Sequence, residues 1–318
     1  MKRWKMYRIE KYNTTHYRLW NDFIAESKNG TFLFQRDFME YHSDRFTDYS
    51  LLLFQEDKLM AVLPANVDNG VVYSHQGLTY GGLIYTPKTK QLAITEIFTA
   101  IITFLKNEGI NTLYLKQVPA IYHKYPAQEA EFTLFNLGAK LVRRDGVSVY
   151  DQENPLPFTK KRKEAIRRGE KNKLTIVEEP EFGLFWDKVL IPNLERKHEA
   201  RPIHTLEEIK MLCSKFPQNI RHFNVYHNRE IVAGTTMFVT DTVAKPQYIS
   251  ATPDKNELGS IDYLYSQLIT TLFKDKRYFD LGPSFGDDRK TINEGVLFWK
   301  ESFGARIVVQ DFYELEIG

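Results

Sequence analysis

Cysteine is almost absent: Cys213 stands alone in 318 residues. No intramolecular disulfide can form, and there is no cysteine cluster for a structural zinc site. Within "EIKMLCSKF" the thiol reads as a helix core residue rather than a nucleophile. Long hydrophobic runs are missing as well. The most apolar helical stretch, residues 92–105, carries Glu96 and several threonines. It falls short of the roughly 20 apolar residues a membrane span needs. The N-terminus, "MKRWKMYRIEKYNTTHYRLW", is basic but has no continuous apolar segment behind it, which argues against a signal peptide. A soluble, cytoplasmic protein with no transmembrane segment is the expectation. Net charge is small, with 43 Lys and Arg against 41 Asp and Glu. Overall charge therefore predicts neither nucleic-acid nor membrane binding. No Walker-type phosphate loop and no G-x-S-x-G elbow occurs, and "GPSFG" at Gly282 resembles the latter only superficially.

What is present is a chain 42% hydrophobic and 14% aromatic, enough for one large or two ordinary domains with real cores. It repeats itself. "LGAKLVRRD" at residues 137–145 is echoed by "FGARIVVQD" at 303–311, which sets Gly138 and Gly304 166 positions apart. "TPKTKQLA" from Thr86 and "TPDKNELG" from Thr252 share that 166-residue offset. Further upstream, "LLLFQEDKLMAVLPA" and "FNVYHNREIVAGTTM" both read as strand, polar turn, strand, at an offset of 172. Phe54 then aligns with Tyr226, Leu59 with Ile231 and Ala61 with Ala233. Each half predicts a polar helical segment, a hairpin, a further strand, a long helix, a buried strand, a helix ended by a glycine, and a last strand. Gly138 and Gly304 suit the left-handed conformation that stops a helix. The boundary is expected at the polar, proline-containing "DQENPLP", giving domains 1–152 and 153–318. The competing reading is a single α+β domain with a few similar elements.

This order of elements resembles the GNAT acyltransferase fold. Two such units resemble the FemAB-type transferases and the FemAB-like, GNAT-related acetyltransferases of bacterial cell-envelope gene clusters. The resemblance is carried by "PQYISATPDKNELGSIDYLYSQLI", by "YFDLGPSFGDDRKTINEGVLFWKESFGARIVVQDFYEL", and by the basic stretch "KKRKEAIRRGEKNKLTIVEE" before the first strand of the second half. The matches span most of residues 30 to 313. The implied fold is α+β, with two tandem GNAT-like (acyl-CoA N-acyltransferase) domains, each a mixed central sheet flanked by helices. The implied activity is transfer of an acetyl or other acyl group from acyl-CoA to an amine, with no metal. The first domain would take the acceptor and the second the acyl donor. An amino sugar or a cell-envelope precursor, small or lipid-linked, is the acceptor class suggested. The alternatives are an aminoacyl-tRNA-dependent FemAB-type ligase, which alone brings in nucleic acid, and a non-catalytic, degenerate GNAT-like binding protein. Two features depart from the pattern. No segment could form the helical hairpin arm of peptidoglycan-type Fem ligases. Where GNAT enzymes often place a tyrosine acid, this chain has Phe298, Trp299 and Lys300.

Candidate residues follow from local chemistry and from the resemblance. A helix beginning at Ser260 after Gly259 offers free N–H groups and a favourable dipole to an anion. Gly259, Ser260 and Lys255 are therefore donor-binding candidates, the bland reading being ordinary helix capping. Between Lys160 and Lys173 there are eight basic residues and two acidic ones. Ala165, Ile166 and Gly169 form a narrow inward stripe, so the remainder faces solvent or a polyanion. In "SHQGLTYGGLIY", Tyr80, Gly81 and Gly82 are acceptor-binding candidates, with a bulged turn as the alternative. Acyl transfer to an amine needs a proton acceptor and a polarised carbonyl. Asp280, Tyr248 and Lys300 are the catalytic candidates, with Asp262 beside them. In "NLERKHEARPIH", His198 and Arg201 are candidates for lining the acceptor groove. Glu195 and His198 could share a helix face, but a zinc site there lacks a third ligand.

Overall fold

The computed structural model describes residues 7–318 except Glu199, Asp287 and Arg289, and gives no side-chain placement for Lys197 and His198. Contacts divide the chain into two units. One is Met1–Asp145 with Val309–Gly318; the other is Gly146–Val308.

In the first unit, Tyr7–Lys11, Leu51–Gln55, Lys58–Leu63 and Ile84–Tyr85 form an antiparallel sheet. A second ladder joins Thr47–Asp48, Asn66–Asp68, Val71–Tyr73, Thr112–Lys116 and the end of Arg306–Glu316. The helix Gln91–Asn107 buries Ile94, Ile97, Phe98, Ile101 and Leu105 in the core of this unit. That spacing puts all five on one stripe. Thr99 and Thr103 face outward and donate their hydroxyls to the carbonyls four residues back. The helix is thus amphipathic, and no described helix is long and apolar enough to cross a membrane.

In the second unit the strands run in the order Thr175–Glu178, Ile220–His227, Glu230–Val239, Val243–Ala251, Tyr278–Pro283, then the end of Lys140–Asp151. Only Val243–Ala251 and Tyr278–Pro283 are parallel. One face packs on the helices Lys160–Lys171 and Ser260–Gln267, burying Ile166, Leu264, Leu268, Phe279 and Phe303. On the opposite side, Phe185 lies where a Cβ at Gly234 would come within 2.5 Å of it.

Each unit carries a hairpin with its register shift at the same place. In the first, Leu53 pairs with Ala61 and Phe54 with Leu59, with the shift between them. In the second, Val225 pairs with Ala233 and Tyr226 with Ile231, again with the shift between. The first turn residue matches as well, Glu56 at φ 54° and Asn228 at φ 50°, while the next position is left-handed only in the second unit, at Arg229 with φ 70°. Gly138 and Gly304 take φ 75° and 87°, just past the helices Glu129–Asn136 and Glu294–Glu301.

Two details differ from the sequence reading. Cys213 lies on the helix Leu206–Lys215 but is only half-buried, its Sγ reaching the Ile220 carbonyl at 3.3 Å. Arg162, counted with the outward charges, is buried, because the helix turns it inward beside Ala165, Ile166 and Gly169.

Candidate functional site

The two parallel strands of the second unit pair only at Val243–Tyr278 and Ala244–Phe279. Pro246, two residues past the last pair, has no N–H to continue a ladder. Beyond this point a cavity of about 890 Å³ opens, with Ile249, Ala251 and Leu281 in its wall. Carboxyl ends of parallel strands, where neighbouring connections diverge, are where open α/β sheets receive ligands. The helix Lys160–Lys171 adds Lys161, Arg162 and Arg168 to the lining, the segment after the strand Val243–Ala251 adds Lys255, and the helix Glu294–Glu301 adds Trp299 and Lys300.

The inner wall is a set of closed charge contacts. Arg162 pairs with the Asp262 carboxylate. The same carboxylate oxygen accepts from Trp299 Nε1 at 2.9 Å, and Arg162 Nε donates to Ser302 Oγ at 2.8 Å. The Arg162 guanidinium lies 4.8 Å from the Phe303 ring centre.

Lys300 is the unusual group. Its side chain is buried, yet among the described residues its Nζ donates only to main-chain carbonyls, those of Gly282 at 2.9 Å and of Pro283. Burial, and then the nearby Lys245 ammonium, push its pKa down to about 8, with Asp280 acting in the opposite sense. Asp280, 3% exposed, accepts from the Gly282 N–H at 2.7 Å and from Lys245 Nζ at 3.2 Å. Gly282, at φ 78° beside a register shift in its strand, brings the three side chains together. Burial also pushes the Tyr265 hydroxyl up, with Asp280 adding to the effect.

Of the residues singled out from sequence, Asp280 and Lys300 converge around Gly282, while Asp262 and Lys255 line the same cavity. Tyr248 belongs to another cluster, its hydroxyl accepting from the His204 N–H at 3.0 Å and lying 2.5 Å from His204 Nδ1, with the ring against Trp186. Gly259 has φ 70°, but what approaches it is the basic helix: a Cβ there would meet the Ala165 carbonyl at 2.5 Å and the Gly169 nitrogen at 2.9 Å. Ser260 is fully buried and caps nothing, its hydroxyl having no hydrogen-bond partner among the described residues. The reason is packing, since the two helices use both glycines to come close.

In the first unit, Tyr80 is buried and its hydroxyl reaches Thr31 Oγ1 at 3.2 Å. A Cβ at Gly81 would collide with the Ser74 carbonyl, so the backbone approaching this glycine is the protein's own. Gly82 takes φ 95° against the Gln117 side chain. Arg201 is exposed and pairs with Glu195 at 3.4 Å. His198 ends the helix Ile191–His198, and its side chain lies outside the described residues. Among the described residues no group of three or more His, Cys, Asp or Glu could hold a metal ion.

Sequence reasoning missed Lys245 and the inward role of Arg162. The signal for Lys245 was a lone lysine in the buried-type strand "VAKPQYISA", next to a proline.

No protein-family model matches the sequence, and no curated protein matches it. Solved structures do resemble it. FemX is similar over 97% of either chain, with a TM-score of 0.69 and 9% identity. The C-terminal domain of a putative lysylphosphatidylglycerol synthetase from Agrobacterium fabrum is similar over 81% of either chain (TM-score 0.54, 11% identity). A tandem GNAT protein from the clavulanic acid biosynthesis pathway is similar over 98% of this chain and 99% of its own (TM-score 0.50, 11% identity). The chain therefore shares the fold of these proteins: α+β, with two tandem GNAT-like domains.

Proposed function

We propose that the protein is a cytoplasmic N-acyltransferase, with the acyl donor held by the second unit and an amine acceptor presented from the first. The observation that carries this reading is the cavity itself. It opens where two parallel strands part, it has basic residues of one helix along its wall, and it has a buried lysine of pKa about 8 inside. Lys161, Arg168 and Lys255 suit the phosphates of an acyl-CoA. A bound thioester would supply the activated acyl group, and an amino sugar or an amino group of an envelope precursor would receive it.

In this reading Lys300 handles the proton. An amine acceptor must shed one as it acylates, and the departing group must gain one. A lysine titrating near 8 exists in both forms at neutral pH, so it suits either task. It occupies the region where many GNAT enzymes use a tyrosine, which this chain lacks. Asp280 stays with Lys245 and the Gly282 N–H and orders the wall rather than reacting.

A second reading, an aminoacyl-tRNA-dependent ligase, is favoured by one observation. Lys160, Lys161, Lys163, Arg167, Lys171 and Lys173 are exposed and make no ion pair among the described residues. Separate titrations with acetyl-CoA and charged tRNA decide between the two. A CoA ligand at 1,000 times its Kd stabilises a fold by about 4 kcal/mol, which a thermal melt detects. A melt unmoved by CoA, together with binding of charged tRNA, overturns the acyl-CoA reading.

A further inference from the structure

Lys245 and Lys300 lie on different elements, yet both ammonium groups reach Gly282. A Cβ built there would sit 3.7 Å from Lys245 Nζ and 4.0 Å from Lys300 Nζ. Between them is one carboxylate. Asp280 takes Lys245 on one oxygen and the Gly282 N–H on the other. Among the described residues, Lys300 has no carboxylate of its own and is left with two carbonyl dipoles. Side-chain exposure is 14% for Lys245 and 4% for Asp280, so water screens this group poorly.

We infer that Lys245 is a positioning residue: by holding Asp280 and setting a second cation beside Lys300, it keeps Lys300 partly unprotonated and able to exchange a proton inside the cavity. The inference rests on the transferase reading for its purpose, though its physics does not depend on that reading. Two like charges near one carboxylate cannot both be fully compensated. Lys300, whose bonds go to two main-chain carbonyls, is the one whose charged form is disfavoured. Burial and the Lys245 charge act on Lys300 in the same direction, and Asp280 opposes them.

The other charged groups facing this cavity do not compete for that role. On the helix Ser260–Gln267, Asp262 is taken by Arg162 and Trp299, and Tyr265 is pushed towards its neutral form. On the basic helix, Lys161, Glu164 and Arg168 line the cavity. Lys255 lines it from the short helix Lys255–Leu258.

The test follows the titration of Lys300 itself, by the Cε chemical shift of 13C-labelled lysine in the full chain, assigned by comparison with Lys300→Met. The midpoint is expected near 8 in the unaltered protein. Lys245→Met should raise it by roughly one pH unit, because a repelling charge is removed. Asp280→Asn should lower it, because an attracting charge is removed. Lys245→Arg, which keeps the charge, should leave it near the starting value and covers the case in which Lys245→Met fails to fold. Damage to packing would not move one resonance in opposite directions in the two neutralised variants. A midpoint that stays put in Lys245→Met, or that moves the same way as in Asp280→Asn, overturns the inference. Failure to bind any acyl donor, with these shifts intact, would instead count against the transferase reading alone.

Discussion

A Cβ at Gly259 would come within 2.5 Å of the carbonyl oxygen of Ala165 on the basic helix. The same glycine holds φ 70°, where an L-residue is strained. Both facts act against any side chain. Gly259→Ala is expected to cost at least about 2 kcal/mol, from backbone strain and from separating the two helices. The drop would appear in a urea titration of the ligand-free protein. Bulky replacements at this position report on folding and are a poor probe of ligand binding.

Lys300→Met should lower the transfer rate about 10²- to 10⁴-fold, the range for loss of a proton-handling group. Lys300→Arg should not rescue it, because a guanidinium does not give up its proton at neutral pH. The pH–rate profile of the unaltered protein should show a limb near 8 that both variants lose. The stability effect has a definite sign. The folded pKa lies below that of an unfolded lysine, so the unfolded chain binds more protons between about 8 and 10.5. Stability from this group should therefore rise as pH increases through that interval, and the rise should vanish in Lys300→Met.

The duplicated architecture was legible because its marks are local. A polar turn between two apolar runs, and a glycine after a helix, announce themselves within a few residues, and the structure puts matching register shifts and positive φ values at those places. Lys300 and Asp280 were legible as candidates through the resemblance and through their place near a buried strand. Arg162 was not, since eight basic residues within fourteen positions read as surface and only the partner Asp262, a hundred positions away, explains why one of them is inside. Gly259 was misread for a similar reason. A glycine before a helix looks the same whether a ligand or another helix approaches it, and the deciding neighbour, Gly169, is distant in sequence.

Glu131 gives a test away from the cavity. Burial raises its carboxyl to about 7, Asp311 and Glu129 add to the effect, and its Oε2 has no hydrogen-bond partner among the described residues. The folded pKa is raised, so the protonated form contributes stability below about 4.5, and that contribution is lost as pH rises through about 7. Glu131→Gln should melt like the unaltered protein near pH 4.5. At pH 8 it should be more stable, by on the order of 2–3 kcal/mol.

Two buried histidines should make the fold sensitive to acid. His222 is held between Thr236 Oγ1 at 3.0 Å and Asn224 Oδ1 at 3.1 Å, and Asn224 in turn donates to Glu179. Burial lowers its pKa to about 4. His75 stacks on His42 at 5.1 Å, and burial, followed by His42, Lys116 and Arg36, lowers it to about 3. Both are neutral in the fold and charge in the unfolded chain below about 6.5, so stability falls as pH falls from there. Between pH 6.5 and 5 the two together should cost about 3 kcal/mol, a large share of the 5–15 kcal/mol typical of a domain. A urea midpoint followed against pH measures the slope, and His222→Gln should flatten it.

The basic helix separates local contact from general charge. Lys161 and Arg168 line the cavity, whereas Lys163 and Arg167 are exposed elsewhere on the same helix. Reversing Lys161 and Arg168 to glutamate should weaken CoA binding tenfold or more, at roughly 1 kcal/mol for each exposed charge at contact distance. Reversing Lys163 and Arg167 changes the net charge equally. If direct phosphate contact matters, the second pair should have much the smaller effect at 0.15 M salt, where charges more than about 8 Å away are largely screened. Equal losses from the two double variants, merging as salt is raised, would show that the helix acts through its general field, without touching the ligand.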